Sequence, residues 1–182
     1  SSSITGLQSQ VDQQVTTGVA NANSLIQQIY NLNQQAKAAV ANGDTDTALL
    51  DQRDLAVQNL SQVMGIRSVP QGDGGVQIFT TDGVSLVGDT YAQLSYPGGA
   101  TNGTYGNITI QSVNPQSGQT IGTPTALDPH LSSGSLKGLI DVRDNALGSL
   151  NSELGQLAQT TSTAFNQVSN ANVAYPTPTT LS

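Results

Sequence analysis

One six-residue string constrains this chain more than any other feature, because the chain nearly repeats it. Leu49-Leu50-Asp51-Gln52-Arg53-Asp54 returns as Leu139-Ile140-Asp141-Val142-Arg143-Asp144. Both copies sit in stretches of helical periodicity, where side-chain neighbours lie three or four positions apart. Arg53 then neighbours Leu49, Leu50, Ala56 and Val57, and Arg143 neighbours Leu139, Ile140, Ala146 and Leu147. Each guanidinium rises from an apolar face with no acidic residue at those spacings, and the adjoining aspartates point elsewhere. Two arrangements fit. In one, each arginine crosses to a neighbouring helix and meets Asp51, Asp54, Asp141 or Asp144, a buried pair that fixes register more than it stabilises. In the other, it lies on the rim of a helix seam and extends to water.

The surrounding periodicity predicts three helices. Ile4, Leu7, Val11, Val15, Val19, Ala22, Leu25, Ile29, Leu32, Ala36 and Val40 follow helical spacing, so residues 4–41 read as one helix about 55 Å long. Gly18 is a weak point within it. Asn42-Gly43 supplies the stop. Asp44, Asp46 or Thr47 caps a second helix that ends at Gly65, and the short connection makes the two an antiparallel hairpin. A third helix begins near Leu136, with Ser132, Ser133 or Ser135 as candidate caps. Its seam runs Leu136, Ile140, Arg143, Leu147, Leu150, Leu154, Leu157, Thr161, Ala164 and Val168 in alternating threes and fours, as in a coiled coil. Gly148 and Gly155 stand one heptad apart on it and mark either a close helix approach or looser packing.

Between the second and third helices the period changes to two. Ile66–Val69, Val76–Thr80 and Val84–Val87 read as strands, with Asp82-Gly83 favouring a tight turn. Further strands are expected over Tyr91–Tyr96, Tyr105–Val113 and Thr120–Leu127, the last held to a sheet edge by Pro124. Strands grouped in a block, without alternating helices, predict an α+β fold. The expected architecture is an elongated three-helix antiparallel bundle with a small antiparallel β module inserted between helices two and three. The divisions are 1–65 for the helical hairpin, 66–130 for the β module, 131–170 for the third helix and 171–182 for an exit linker.

Composition narrows the function. A formal net charge of −7 with five basic residues lacks the footprint of a nucleic-acid binder or of a basic helix on anionic membrane. The helix faces carry Gln, Asn, Ser and Thr where a free-standing bundle would place Glu and Lys, and such faces meet another subunit without desolvating many ions. The absence of cysteine removes disulfides and thiolate metal sites. His130, the single histidine, follows Asp128-Pro129 with no nucleophile signature nearby. Asp44-Thr45-Asp46 fails the calcium-loop pattern, because Leu49 and Leu55 occupy the positions of its glycine and glutamate. Gly72-Asp73-Gly74-Gly75 is too short for a phosphate loop, and Glu153 is the only glutamate. Asn59-Leu60-Ser61, Asn102-Gly103-Thr104 and Asn107-Ile108-Thr109 match a glycosylation pattern that arises often by chance. No catalytic, cofactor or metal residue is assigned, and the chain reads as a protein that is not an enzyme.

In order along the chain, the Gln/Asn-rich first helix, the Leu-Leu-Asp-Gln-Arg-Asp block and the Gly-Asp-Gly-Gly hairpin precede Gly134-Ser135-Leu136-Lys137-Gly138-Leu139-Ile140-Asp141-Val142-Arg143-Asp144. Leu154-Gly155-Gln156-Leu157-Ala158 and Phe165-Asn166 follow. Together they resemble the central part of the bacterial flagellar hook-associated protein 1 family, the hook–filament junction proteins. The resemblance implies a structural role in the flagellum: a subunit exported by the flagellar type III route with the help of an export chaperone. It implies a secreted, extracellular homo-oligomeric ring that contacts the hook protein and the next junction protein. A different class of function stands beside it, an extracellular module whose β insertion recognises a glycan or protein with Tyr91, Tyr96 and Tyr105 as stacking surfaces.

Overall fold

The computed structural model describes residues 2–101 and 104–172. Helix α1 spans Ser2–Ala41 and α2 spans Thr47–Val63, and the two pack as a hairpin. The turn between them forms as its residues dictate. Gly43 takes φ +76°, and Asp46 caps α2 by accepting from the Leu49 N–H at 3.1 Å.

Strands β1 (Ile66–Pro70), β2 (Val76–Thr80), β3 (Ser85–Val87), β4 (Tyr91–Ser95), β7 (Thr109–Val113) and β8 (Thr120–Ala126) form one antiparallel sheet in that order. β5 (Ala100–Thr101) and β6 (Thr104–Tyr105) pair separately as a short hairpin, so the single strand expected over 105–113 is broken at 106–108. Asp82-Gly83 lies in a loop closed by the Thr80 N–H donating to Val84 O at 2.8 Å. β8, with Pro124, is an edge strand, where a missing N–H costs least.

The third helical run is interrupted. α3 (Ser135–Asp141) passes into a π-helical turn over Val142–Ala146 and then into α4 (Leu147–Asn172). No serine caps α3. Its N-cap is Gly134 at φ +93°, where an added Cβ would lie 2.6 Å from the Met64 backbone, so only glycine fits the crossing of the two segments. α4 reaches Asn172, into the stretch expected as an exit linker, and residues 173–182 of that stretch lie outside the described residues.

The fold is α+β, and its helices and inserted sheet share one core. Ile26 and Ile29 of α1, Leu60 of α2, Ile78, Leu86 and Leu94 of the sheet, and Leu136 of α3 belong to one continuous core. The reason is the sheet: its central strands carry an apolar face that must be covered, and α1 lies across it. Gly18 is the notch that admits Leu136, whose Cδ2 lies 2.7 Å from the position of an added Cβ. Past Leu147 none of the described residues of the third helix belongs to the core, and Gly148 and Gly155 have nothing within 4 Å of an added Cβ.

Candidate functional site

The repeated arginines both turn toward the strands, and neither of the two expected arrangements is found. The Arg143 side chain is completely buried. Its Nε and Nη2 donate to the two oxygens of Asp144 at 2.6 and 2.8 Å, so the adjoining aspartate is a partner after all. Nη1 donates to the Tyr96 hydroxyl at 3.0 Å and to Gly106 O at 3.2 Å, and Asp128 Oδ2 lies 3.5 Å from Nη2. The guanidinium also sits over the rings of Tyr96 and Tyr105, at 5.6 and 5.3 Å from their centroids. The network continues to α1: Tyr96 donates its hydroxyl proton to Asp12 Oδ1 at 2.5 Å, and Asp12 Oδ2 accepts from the Gly99 N–H at 2.9 Å. Asp128 Oδ1 accepts from the Ile108 N–H at 2.8 Å. Arg143 thus joins the π-helical turn, α1, the loop after β4 and the turn after β8.

Electrostatics follow from that burial. Burial works against the Arg143 cation, but its bonds to Asp144 and Tyr96 outweigh it and hold the group above its usual range. Burial, reinforced by the bond to Asp12, pushes the Tyr96 phenol up to about 12. Burial raises the Asp128 carboxyl as well, against the opposing pull of the Ile108 N–H and Arg143.

Arg53 makes the corresponding contact at the other end of the sheet. Nη1 donates to Gly74 O at 2.7 Å in the β1–β2 turn, and Nη2 reaches Asp54 Oδ1 at 3.4 Å. Among the described residues its Nε has no hydrogen-bond partner, although the side chain is only 10% exposed. Beside it Lys37 pairs with Asp73 at 3.0 Å. The Gly75 N–H and Lys37 hold the Asp73 carboxyl below the usual carboxylate range. The glycine-rich turn is therefore a docking point for α1 and α2, and a cleft of about 580 Å³ opens beside it.

Two asparagines of α1 complete the attachment. Asn33 Nδ2 donates to Val76 O at 2.6 Å and its Oδ1 accepts from the Val76 N–H at 3.1 Å. Asn23 does the same with Leu94, at 2.8 Å in both directions. β3 is too short to pair at either position: it ends at Val87, opposite Ile78, and begins at Ser85, so that Val76 and Leu94 lie beyond its two ends. The carboxamides supply the donor and acceptor that a longer strand would have provided.

The remaining sequence candidates have ordinary structural duties. His130 Nδ1 meets Asp82 Oδ2, tying the helical turn after β8 to the β2–β3 loop, and Asp82 also accepts from Thr80 Oγ1 at 2.6 Å. Those two bonds, Thr80 first, hold the Asp82 carboxyl below its usual range. Asp44 accepts from the Thr45 N–H, and Asp46 is the cap described above. Tyr91 packs on Tyr30 with centroids 5.2 Å apart, and Tyr96 and Tyr105 belong to the Arg143 network, so the stacking surface expected of these tyrosines is committed internally. Asn102 and Gly103 of the second glycosylation-pattern match lie outside the described residues.

What α4 leaves uncovered is its own seam. Leu150, Leu154, Leu157, Phe165 and Val168 are exposed, Leu157 at 61% and Phe165 at 75%. These residues form an exposed apolar stripe on a helix with one charged side chain, Glu153.

Comparison with known proteins identifies the family. Residues 1–177 match the family described as the flagellar hook-associated protein FlgK helical domain. The chain is 34% identical over 160 residues to flagellar hook-associated protein 1 of Salmonella typhimurium, covering 86% of this chain and 28% of that protein. It is 34% identical over 170 residues to flagellar hook-associated protein 1 of Escherichia coli, with the same coverage of 86% and 28%. The hook junction protein FlgK from Burkholderia pseudomallei shares the fold with a TM-score of 0.62 and 33% identity, over 78% of this chain and 25% of that one. The chain spans about a quarter of the length of these relatives.

Proposed function

The chain belongs to the flagellar hook-associated protein FlgK helical domain family, and on that premise we propose that it is part of a structural subunit joining hook to filament in the bacterial flagellum. The observation that carries this reading is the bare seam of α4, which needs a helix outside this chain to cover it. In this reading the third helix, 131–170, completes an elongated bundle only within the assembly. The hairpin 1–65 and the β module 66–130 form the body from which it projects. The protein works by packing, without catalysis, in a ring of like subunits outside the cell. The hook protein and the next junction protein are its neighbours, and an export chaperone escorts it before assembly. The weakly charged helix faces support this, since they lose little on desolvation.

The test is gold labelling of isolated flagella with an antibody raised against this chain. A single band at the hook–filament joint is expected. Label distributed along the filament, or absent from flagella, overturns the proposal.

A further inference from the structure

Asn42-Gly43 closes the turn between α1 and α2, and the pair carries a chemistry that the fold does not use. Asparagine is thermolabile because the backbone nitrogen of the next residue can attack its carboxamide carbon. Glycine is the easiest neighbour for that attack, since it has no side chain to crowd the nitrogen. Both residues are exposed, and nothing lies within 4 Å of the place where a Gly43 Cβ would stand. The bonds of Asn42 among the described residues run from its backbone N–H to Ala38 O and Ala39 O, at 3.1 and 3.0 Å, which leaves its carboxamide free. Asparagines elsewhere lack this combination. Asn23 and Asn33 have both carboxamide atoms bonded. Asn114 precedes Pro115, which has no N–H to give up. Exposed Asn107 precedes the branched Ile108, whose N–H is held by Asp128 at 2.8 Å. Among the described residues Asn42 is the one asparagine followed by glycine.

One bond stands in the way. The Gly43 N–H donates to Val40 O at 3.0 Å and must come free before its nitrogen can react. That bond belongs to the last turn of an exposed helix end, where local opening costs least. We propose that Asn42 is a site of spontaneous deamidation in the folded chain, gated by opening of the Gly43–Val40 bond. The Gly43 nitrogen bonds to Asn42 Cγ, the Cγ–Nδ2 bond breaks, and Nδ2 leaves as ammonia with the glycine proton. Water then opens the resulting succinimide at either carbonyl, giving aspartate or isoaspartate. Both products place a new carboxylate at the C-terminal end of α1, where the helix dipole disfavours it, beside exposed Asp44 and Asp46. Isoaspartate also adds a methylene to the main chain inside the loop that the Asp44 N–H closes on Ala39 O at 2.9 Å. Conversion therefore weakens the hairpin turn. The inference stands on this turn alone and does not depend on the flagellar reading.

The test follows the folded chain during incubation at neutral and mildly alkaline pH, with tryptic digestion and mass spectrometry at intervals. Cleavage after Lys37 and Arg53 releases peptide 38–53, in which Asn42 is the only asparagine. The same peptide, made synthetically and incubated alone, gives the rate without the fold. Asn42 in the folded chain should convert within about a hundredfold of the free peptide's rate, whereas a reaction that waits for global unfolding would be at least about a thousandfold slower. The rate should rise with pH, because the attacking nitrogen must lose its proton. Asn42→Gln should leave peptide 38–53 unmodified over the same period. The converted chain should unfold at a lower denaturant concentration than fresh chain. A folded-chain rate at or below the global-unfolding limit, a rate independent of pH, conversion that persists in Asn42→Gln, or a converted chain with an unchanged midpoint overturns the proposal.

Discussion

The carboxamide of Asn33 holds the Val76 peptide at both ends, donating to its carbonyl at 2.6 Å and accepting from its N–H at 3.1 Å. Asn33 is 2% exposed, so water cannot replace either bond. Asn33→Ala should therefore cost about 2–4 kcal/mol, two hydrogen bonds with their backbone partners left buried. Asn23→Ala removes the same pair of bonds from Leu94 at a less buried site and should cost about half as much. Urea denaturation of the two variants measures both.

Gly134 and Gly43 both adopt positive φ, but only one is crowded. At Gly134 a Cβ would meet Met64 backbone atoms at 2.6 Å, whereas at Gly43 nothing lies within 4 Å. Gly43→Ala should cost about 1–2 kcal/mol, the penalty of the left-handed conformation alone. Gly134→Ala adds a backbone collision and should cost at least about 3 kcal/mol or prevent folding. Thermal unfolding midpoints of the two variants give the comparison.

The two arginines should differ in what they contribute. Arg143→Met removes one partner from a buried charge network and should destabilise by about 3–5 kcal/mol. Arg143→Lys keeps the charge but loses the paired bonds to Asp144, so it should recover only part of that loss. Arg53→Met loses one short bond, to Gly74 O, while relieving an unpaired Nε–H, and should cost under about 1.5 kcal/mol. Denaturant midpoints at constant slope would establish the order.

Alkaline pH should loosen the same network. The Tyr96 phenol is raised from 10.0 to about 12 in the folded chain, so between those values the folded state holds a proton that the unfolded state has released. Its contribution is fully present below pH 10 and is lost as the pH rises toward 12. Stability measured across that window should fall, and Tyr96→Phe should lack this component of the decline.

On the proposed junction role, the α4 seam should separate folding from assembly. Leu154 and Leu157 are exposed, so Leu154→Arg and Leu157→Arg should change the stability of the isolated chain by less than about 0.5 kcal/mol. In a full-length parent subunit, the same substitutions should impair junction formation and motility. Swimming assays beside unfolding curves test the two halves of this expectation.

Much of the fold could be read from residues, and the failures have physical causes. The Asn42-Gly43 stop, the Asp46 cap and the edge position of the Pro124 strand each follow from one residue's local chemistry. The arginines stood out because they rise from apolar faces. Their partners did not, because Gly74 O and Gly106 O are backbone acceptors that a sequence pattern cannot mark. Asn23 and Asn33 were hidden among other polar residues of α1. The signal available was position: with Val19, Ile26, Ile29 and Ala36, they fall on the buried stripe at spacings of three and four. The π-helical turn had no sequence signature, and it interrupts the third helix where the periodic seam predicted continuity.

Asn23 and Asn33 are about 15 Å apart along α1 and fasten it to strands on either side of β3. Sliding the helix lengthwise would break both fastenings together, so the helix and sheet are stiff as a unit. Past the π-helical turn the described residues give α4 no comparable brace.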